Sequence, residues 1–202
     1  MTESQQRRHG LETLLSAALQ RGAATTGIQI QSALAHINLR GNAGDKRFID
    51  TVARVLDQKL PTEPNTTTVD NQRVYWLGPD EWLILTELDD ADTLLTNLRE
   101  SLAGMSAAVN DVSGGQVALR VTGPHVAEIL AKGCTLDLHP AVFPVGMCAQ
   151  SGLAKASVLI GHTHRGEQQD IFDIVVRRSF ADYLLRWLDH ASREHGVTYL
   201  SS

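Results

Sequence analysis

His162-Thr163-His164 places two imidazoles two positions apart. On an extended segment alternate side chains share a face, so both rings would reach one metal ion, with Glu167 or Asp170 as a third ligand. Tetrahedral sites usually gather denser ligands, and 161–169 reads as a solvated hairpin tip, so no metal is expected here. Cys134 and Cys148, with His139 between them, offer a thiol and an imidazole, the parts of a nucleophile and its base. Cys134 follows an expected helix end, where the dipole opposes thiolate formation. Both thiols therefore read as small packing groups. Gly41-x-x-Gly44 and Ser113-Gly114-Gly115 lack the third glycine of a dinucleotide fingerprint and the Gly-Lys-Ser/Thr ending of a phosphate loop, which leaves them as turns. Arg177-Arg178 reads as a charged strand edge able to meet an anion or a partner's carboxylate. Trp76 and Trp82 flank a turn and read as local core, with the capacity to anchor an interface. The residues converge on no catalytic, cofactor-binding or metal site.

The elements that would position these groups follow from periodicity. Leu11, Leu14, Leu15, Ala18 and Leu19 form one stripe of an N-terminal amphipathic helix after a polar, disordered tail over 1–10. Ile28, Ile30, Ile37 and Leu39 alternate as strands. A helical stripe from Asp45 to Leu60 stops at Pro61, and 61–72 reads as a loop. The runs 73–77 and 81–87 form a hairpin across Gly78-Pro79-Asp80. Asp89 or Asp90 caps a helix carrying Leu94, Leu95, Leu98 and Leu102, ended by Gly104. Then come a strand at 116–121, a helix opened by Gly123-Pro124 and closed by Gly133, and a loop to about Gln150. Strands at 155–160 and 170–177 follow, and Ser179 with Asp182 reads as a capping box for a last helix.

These two passes overlay. Leu39-Arg40 and Leu56 recur 80 positions on as Leu119-Arg120 and Leu136; Trp82, Ile84, Leu94-Leu95 and Leu98 recur 90 on as Phe172, Ile174, Leu184-Leu185 and Leu188. The expected fold is α+β: two similar βαββα lobes of ferredoxin-like kind, each an antiparallel sheet with helices on one face, related by a pseudo-twofold. The boundaries read 1–10 tail, 11–106 first lobe with its N-terminal helix, and 107–202 second lobe.

Composition narrows the partners. The 202 residues carry a net charge of -5, are 43% hydrophobic and only 5% aromatic. That excludes a basic duplex-binding face and a base-stacking platform, so nucleic acid is not a partner. No apolar run approaches the roughly 20 residues of a membrane span. Two cysteines and no export signal point to reducing cytoplasm.

The stretch from Asn110 to Pro124, with its Asp111-x-Ser113 turn, strand and Gly123-Pro124, resembles the folate-binding aminomethyltransferase (T-protein) superfamily. Ala131–Pro140, Phe143–Gln150, Phe172–Leu184 and Leu77–Leu83 are similar to the gamma subunits of heterotetrameric sarcosine oxidases. The likeness is strong over about 74–190 and looser over 11–73. It implies a T-protein-type fold and a non-catalytic place beside alpha, beta and delta subunits. Such complexes oxidatively demethylate sarcosine to glycine and pass the one-carbon unit to tetrahydrofolate. The resemblance assigns FAD, FMN, NAD and tetrahydrofolate to alpha and beta, and zinc to delta, with none on this chain. The alternative is a stand-alone folate-binding, aminomethyltransferase-like protein, against which stands the lack of length for a full T-protein's extra C-terminal domain. For the contact with partner subunits we expect Cys134, Leu136, Asp137, Leu138, His139, Val142, Phe143, Cys148 and Gln150, with Arg177 and Arg178. A chain built to cover that face would dimerise when isolated.

Overall fold

The structure, a computed structural model, describes residues 25–70, 72–166 and 169–200. The tail over 1–10, the helix expected at 11–19 and Glu167 lie outside them. Eleven strands form two sheets among the described residues: β1 Thr26–Ile30, β2 Leu34–Gly41, β3 Thr67–Val69, β4 Arg73–Gly78, β5 Glu81–Glu87, β6 Ala107–Asp111, β7 Gln116–Gly123, β8 Cys148–Leu153, β9 Ala156–Arg165, β10 Asp170–Arg177 and β11 Val197–Leu200. One sheet runs β3-β4-β5-β2-β6, the other β11-β1-β7-β10-β9-β8. All neighbours are antiparallel except β1 and β11.

Among the described residues, four α-helices cover the outer faces. The helices α1 (Lys46–Leu56) and α2 (Ala91–Ser101) lie on the five-stranded sheet; α3 (Val126–Ala131) and α4 (Arg178–Ala191) lie on the six-stranded one. Alternation along each strand explains the layering. On β5, Trp82 and Ile84 face α1 and α2, while Leu83 and Leu85 face the other sheet; on β10, Phe172, Ile174 and Val176 face α3 and α4, while Val175 points inward. The sheets are thus back to back, sharing a central layer of Leu34, Tyr75, Leu83, Leu85, Ala118, Cys148, Leu159 and Val175.

Among the described residues the expected elements are present, with differences that have local causes. Each half runs strand, helix, three strands, helix, because the short β3 and β8 lie in stretches that read as loops. With 3 residues β3 is too short to declare a period, and β8, Cys148-Ala149-Gln150-Ser151-Gly152-Leu153, does not alternate apolar with polar. Exchange also occurs across residue 106: β1 joins the six-stranded sheet and β6 the five-stranded one, so a cut there does not separate the two sheets. Pairing shifts the overlay by two residues. Ile84 faces Ile37, whereas Ile174 faces Leu119, so Leu119 matches Ile37 and not Leu39. A slip of two keeps the buried face unchanged, which is why sequence pattern misses it. Leu136 lies beyond the end of α3 and so has no helical likeness to Leu56.

The helix ends are also re-drawn. Asp45 caps α1 by accepting from the Arg47 N–H at 2.9 Å, and Asp57, left-handed at φ 52°, ends it before Pro61. Neither α2 nor α4 has a side-chain N-cap bond. A 3₁₀ turn, Leu88–Asp90, leads into α2, and Asp182 pairs with Arg186 at 3.0 Å instead of closing a capping box. Pro124 precedes α3 by two positions, with His125 at the cap.

Candidate functional site

Where β4 lies across β7 and β10 the central layer carries charge. Asp173, 1% exposed, stands there in the middle of β10. Arg73 Nη1 donates to its Oδ2 at 2.6 Å and the Tyr75 hydroxyl to the same oxygen at 3.0 Å. Arg120 donates through Nε to Oδ1 at 2.8 Å and through Nη2 to Oδ2 at 3.1 Å. Arg73 Nη2 also donates to Gln31 Oε1 at 3.2 Å. Arg73 and Tyr75 come from the five-stranded sheet, Asp173 and Arg120 from the other, so the cluster bolts the two sheets together.

Its electrostatics follow from the geometry. Burial would raise the Asp173 carboxyl, but the Arg120 hydrogen bonds and the Arg73 and Arg120 charges outweigh it, holding the group below the usual carboxylate range. Burial, and next the Asp173 charge, push the Tyr75 phenol well above its ordinary value. Burial would lower Arg120, yet its bonds to Asp173 leave it raised. All three groups are locked in one protonation state at neutral pH. Four donors occupy about the full accepting capacity of the carboxylate, which leaves it neither a base nor a nucleophile. Beside the cluster opens a cleft of about 560 Å³, lined by Gln31, Leu34, Gln72, Arg73, Arg120 and His164 among others.

The structure scatters the groups whose spacing suggested chemistry. His162 is fully buried, not at a hairpin tip: β9 extends to Arg165, the ring stacks on Phe172 at 4.3 Å, and Nδ1 lies 2.9 Å from the Phe143 carbonyl. A bulge sets His162 opposite Phe172 and His164 opposite Ile171, so β9 spends two steps on one of β10. Alternation breaks there, leaving His162 in the outer core and His164 at the cleft. Cys148 is buried and directs its thiol to the Thr66 carbonyl at 3.2 Å; burial pushes its pKa to about 12. Cys134 is buried beside Ser151. Trp82 is core, donating to the Pro61 carbonyl at 2.6 Å, and is cross-strand partner to Trp76.

Among the residues expected at a subunit contact, Cys134, Leu138, Phe143 and Cys148 are buried in this chain's own cores. Leu136 and Arg178 are half-buried, the latter donating to the Gly114 carbonyl at 2.8 Å. Asp137, His139, Val142, Gln150 and Arg177 are exposed. The buried set holds up a loop whose surface carries Val142, 56% exposed, and Val145, 45% exposed.

Two back-to-back antiparallel sheets with helices outside define a class of fold shared with the aminomethyltransferases. Glycine cleavage system aminomethyltransferase T from Bartonella henselae superposes with a TM-score of 0.64 at 16% identity, over 88% of this chain and 48% of that one. Within that class the assignment is narrower: the chain belongs to the sarcosine oxidase, gamma subunit family, whose sequence model matches residues 40–194. It is 37% identical over 126 residues to sarcosine oxidase subunit gamma of Corynebacterium sp. (strain U-96), which is 62% of this chain and 58% of that relative. Against the subunit of Corynebacterium sp. (strain P-1) it is 29% identical over 184 residues, 89% of this chain and 87% of the relative. A chain of heterotetrameric sarcosine oxidase from Corynebacterium sp. U-96, in complex with pyrrole 2-carboxylate, superposes with a TM-score of 0.79 at 30% identity over 92% of both chains.

Proposed function

We propose that this chain is the gamma subunit of a heterotetrameric sarcosine oxidase, a cytoplasmic assembly subunit beside alpha, beta and delta. The complex oxidatively demethylates sarcosine to glycine and passes the one-carbon unit to tetrahydrofolate. FAD, FMN, NAD and tetrahydrofolate belong to alpha and beta in this reading, and zinc to delta. The two lobes are copies of one unit related by a pseudo-twofold, which the parallel strand orders β3-β4-β5-β2 and β8-β9-β10-β7 support.

One observation carries the assembly role. The buried charged cluster is spent on joining the two sheets, with its carboxylate fully paired, so the chain's charged interior supports a rigid body and not a reaction. The partner surface is the loop displaying Leu136, Asp137, His139, Val142 and Val145, with Gln150 and Arg177 at its margin. In isolation the same surface self-associates, and a monomeric sedimentation coefficient would refute that.

The rival is a stand-alone folate-binding protein, favoured by the open cleft beside Arg73 and Arg120. Titrating tetrahydrofolate into the purified chain separates the two. The assembly reading predicts no saturable heat, and tight stoichiometric binding would overturn it.

A further inference from the structure

His125, Glu128 and His195 come together at the base of the six-stranded sheet, in a place no motif singled out. Their candidate ligand atoms all lie within 4.8 Å of one another. The two imidazoles stack at 4.2 Å with 13° between their planes. His125 Nδ1 lies 3.3 Å from Glu128 Oε2, i to i+3 around the start of α3, yet that buried nitrogen makes no hydrogen bond. His195 Nε2 in turn lies 3.4 Å from Glu194 Oε1, so each imidazole stands beside a carboxylate and the group joins two ring nitrogens to carboxylate oxygens, a donor set suited to a cation.

We propose that these three side chains bind one divalent transition-metal ion, of which zinc is the model. Imidazole nitrogen and carboxylate oxygen suit such an ion, with bonds of roughly 2.0–2.2 Å and water completing a tetrahedron. The rings converge on it by pivoting about Cβ–Cγ, which the part-exposed His125 side chain permits. The backbone on both sides is held. His195 O accepts from Thr25 N at 3.0 Å and from Thr25 Oγ1 at 2.8 Å, and Lys132 Nζ donates to Ala191 O at 2.6 Å and pairs with Glu194. The ion would clip α3 to the 3₁₀ turn Arg193–His195, directly before edge strand β11. Its role there is structural: it fixes the register of the parallel β1–β11 pair.

The test uses the full chain, stripped with chelator and then titrated with zinc in a calorimeter and with cobalt(II) in a spectrophotometer. The expected result is one equivalent bound, a tetrahedral cobalt absorption, and a rise of roughly 5 °C in Tm at a hundredfold excess over Kd. His195→Ala and the surface change Glu128→Gln should each weaken binding at least tenfold, and His164→Ala should not. No saturable uptake, or uptake that survives both His195→Ala and Glu128→Gln, overturns the site.

Discussion

Asp173 and Arg120 face each other across the β10–β7 ladder, and the guanidinium gives the carboxylate two hydrogen bonds, at 2.8 and 3.1 Å. The pair would stiffen one sheet by itself; Arg73 and Tyr75, reaching over from β4, make it a joint between two. Removing the carboxylate leaves two guanidiniums facing each other at the seam. Asp173→Asn should cost about 3 kcal/mol, at the lower end of what broken buried pairs cost because both arginines keep some solvent. Urea unfolding measures it. Asp50→Asn, which breaks only the exposed Lys46 pair, should cost about 0.5 kcal/mol or less.

The same joint sets an acid limit. The folded carboxyl of Asp173 lies below its unfolded value of about 3.9. Its contribution is therefore complete above that value and is lost as pH falls through the folded pKa. Stability of the native chain should drop steeply below about pH 4, and Asp173→Asn should lose that part of the slope. Parallel acid profiles for the two proteins would contradict this.

Tyr75 gives a finer test of the seam. Tyr75→Phe removes one donor to Asp173 and should cost about 1 kcal/mol, since the other three remain. Gly161→Ala should cost more, because a Cβ there would lie 2.5 Å from Tyr75 Cε1 in the closed central layer. Chemical denaturation of both variants ranks the two effects.

Much of this joint was within reach of the sequence, and its function was not. The strands that carry Arg120 and Asp173 read correctly from alternation, and a charged residue in the middle of each apolar run is the mark of a paired group. What no pattern holds is that β4, a hairpin strand of the other sheet, lies across them, since that depends on how two finished sheets stack. His125 and His195 are hidden for the same reason, being 70 positions apart and brought together by tertiary contacts such as the parallel β1–β11 pair and the Lys132 bond to Ala191. His162-Thr163-His164 misleads in the opposite sense: the alternation rule is sound, and a one-residue bulge defeats it. The short strands β3, β6, β8 and β11 are set by partners more than by their own residues.

Both thiols should be inert in the folded chain. Cys148 titrates near 12 and is buried, and Cys134 is buried too. Iodoacetamide at pH 8 should modify neither until denaturant is added, as read by intact mass. Rapid labelling of the native protein would contradict the packing described.

The loop surface separates assembly from folding. Val142→Asp with Val145→Asp should shift stability by no more than about 0.5 kcal/mol, since both side chains are exposed. If the proposed contact holds, the same change should sharply reduce capture of the partner subunits, because it places charge in a face that binding would desolvate.

The most direct measurement is the mass of what assembles. Co-expression of the tagged chain with the alpha, beta and delta subunits, followed by size-exclusion chromatography with light scattering, should yield one species holding all four in equal amounts. A complete flavoprotein complex that forms without this chain, while the chain elutes by itself, would contradict the account.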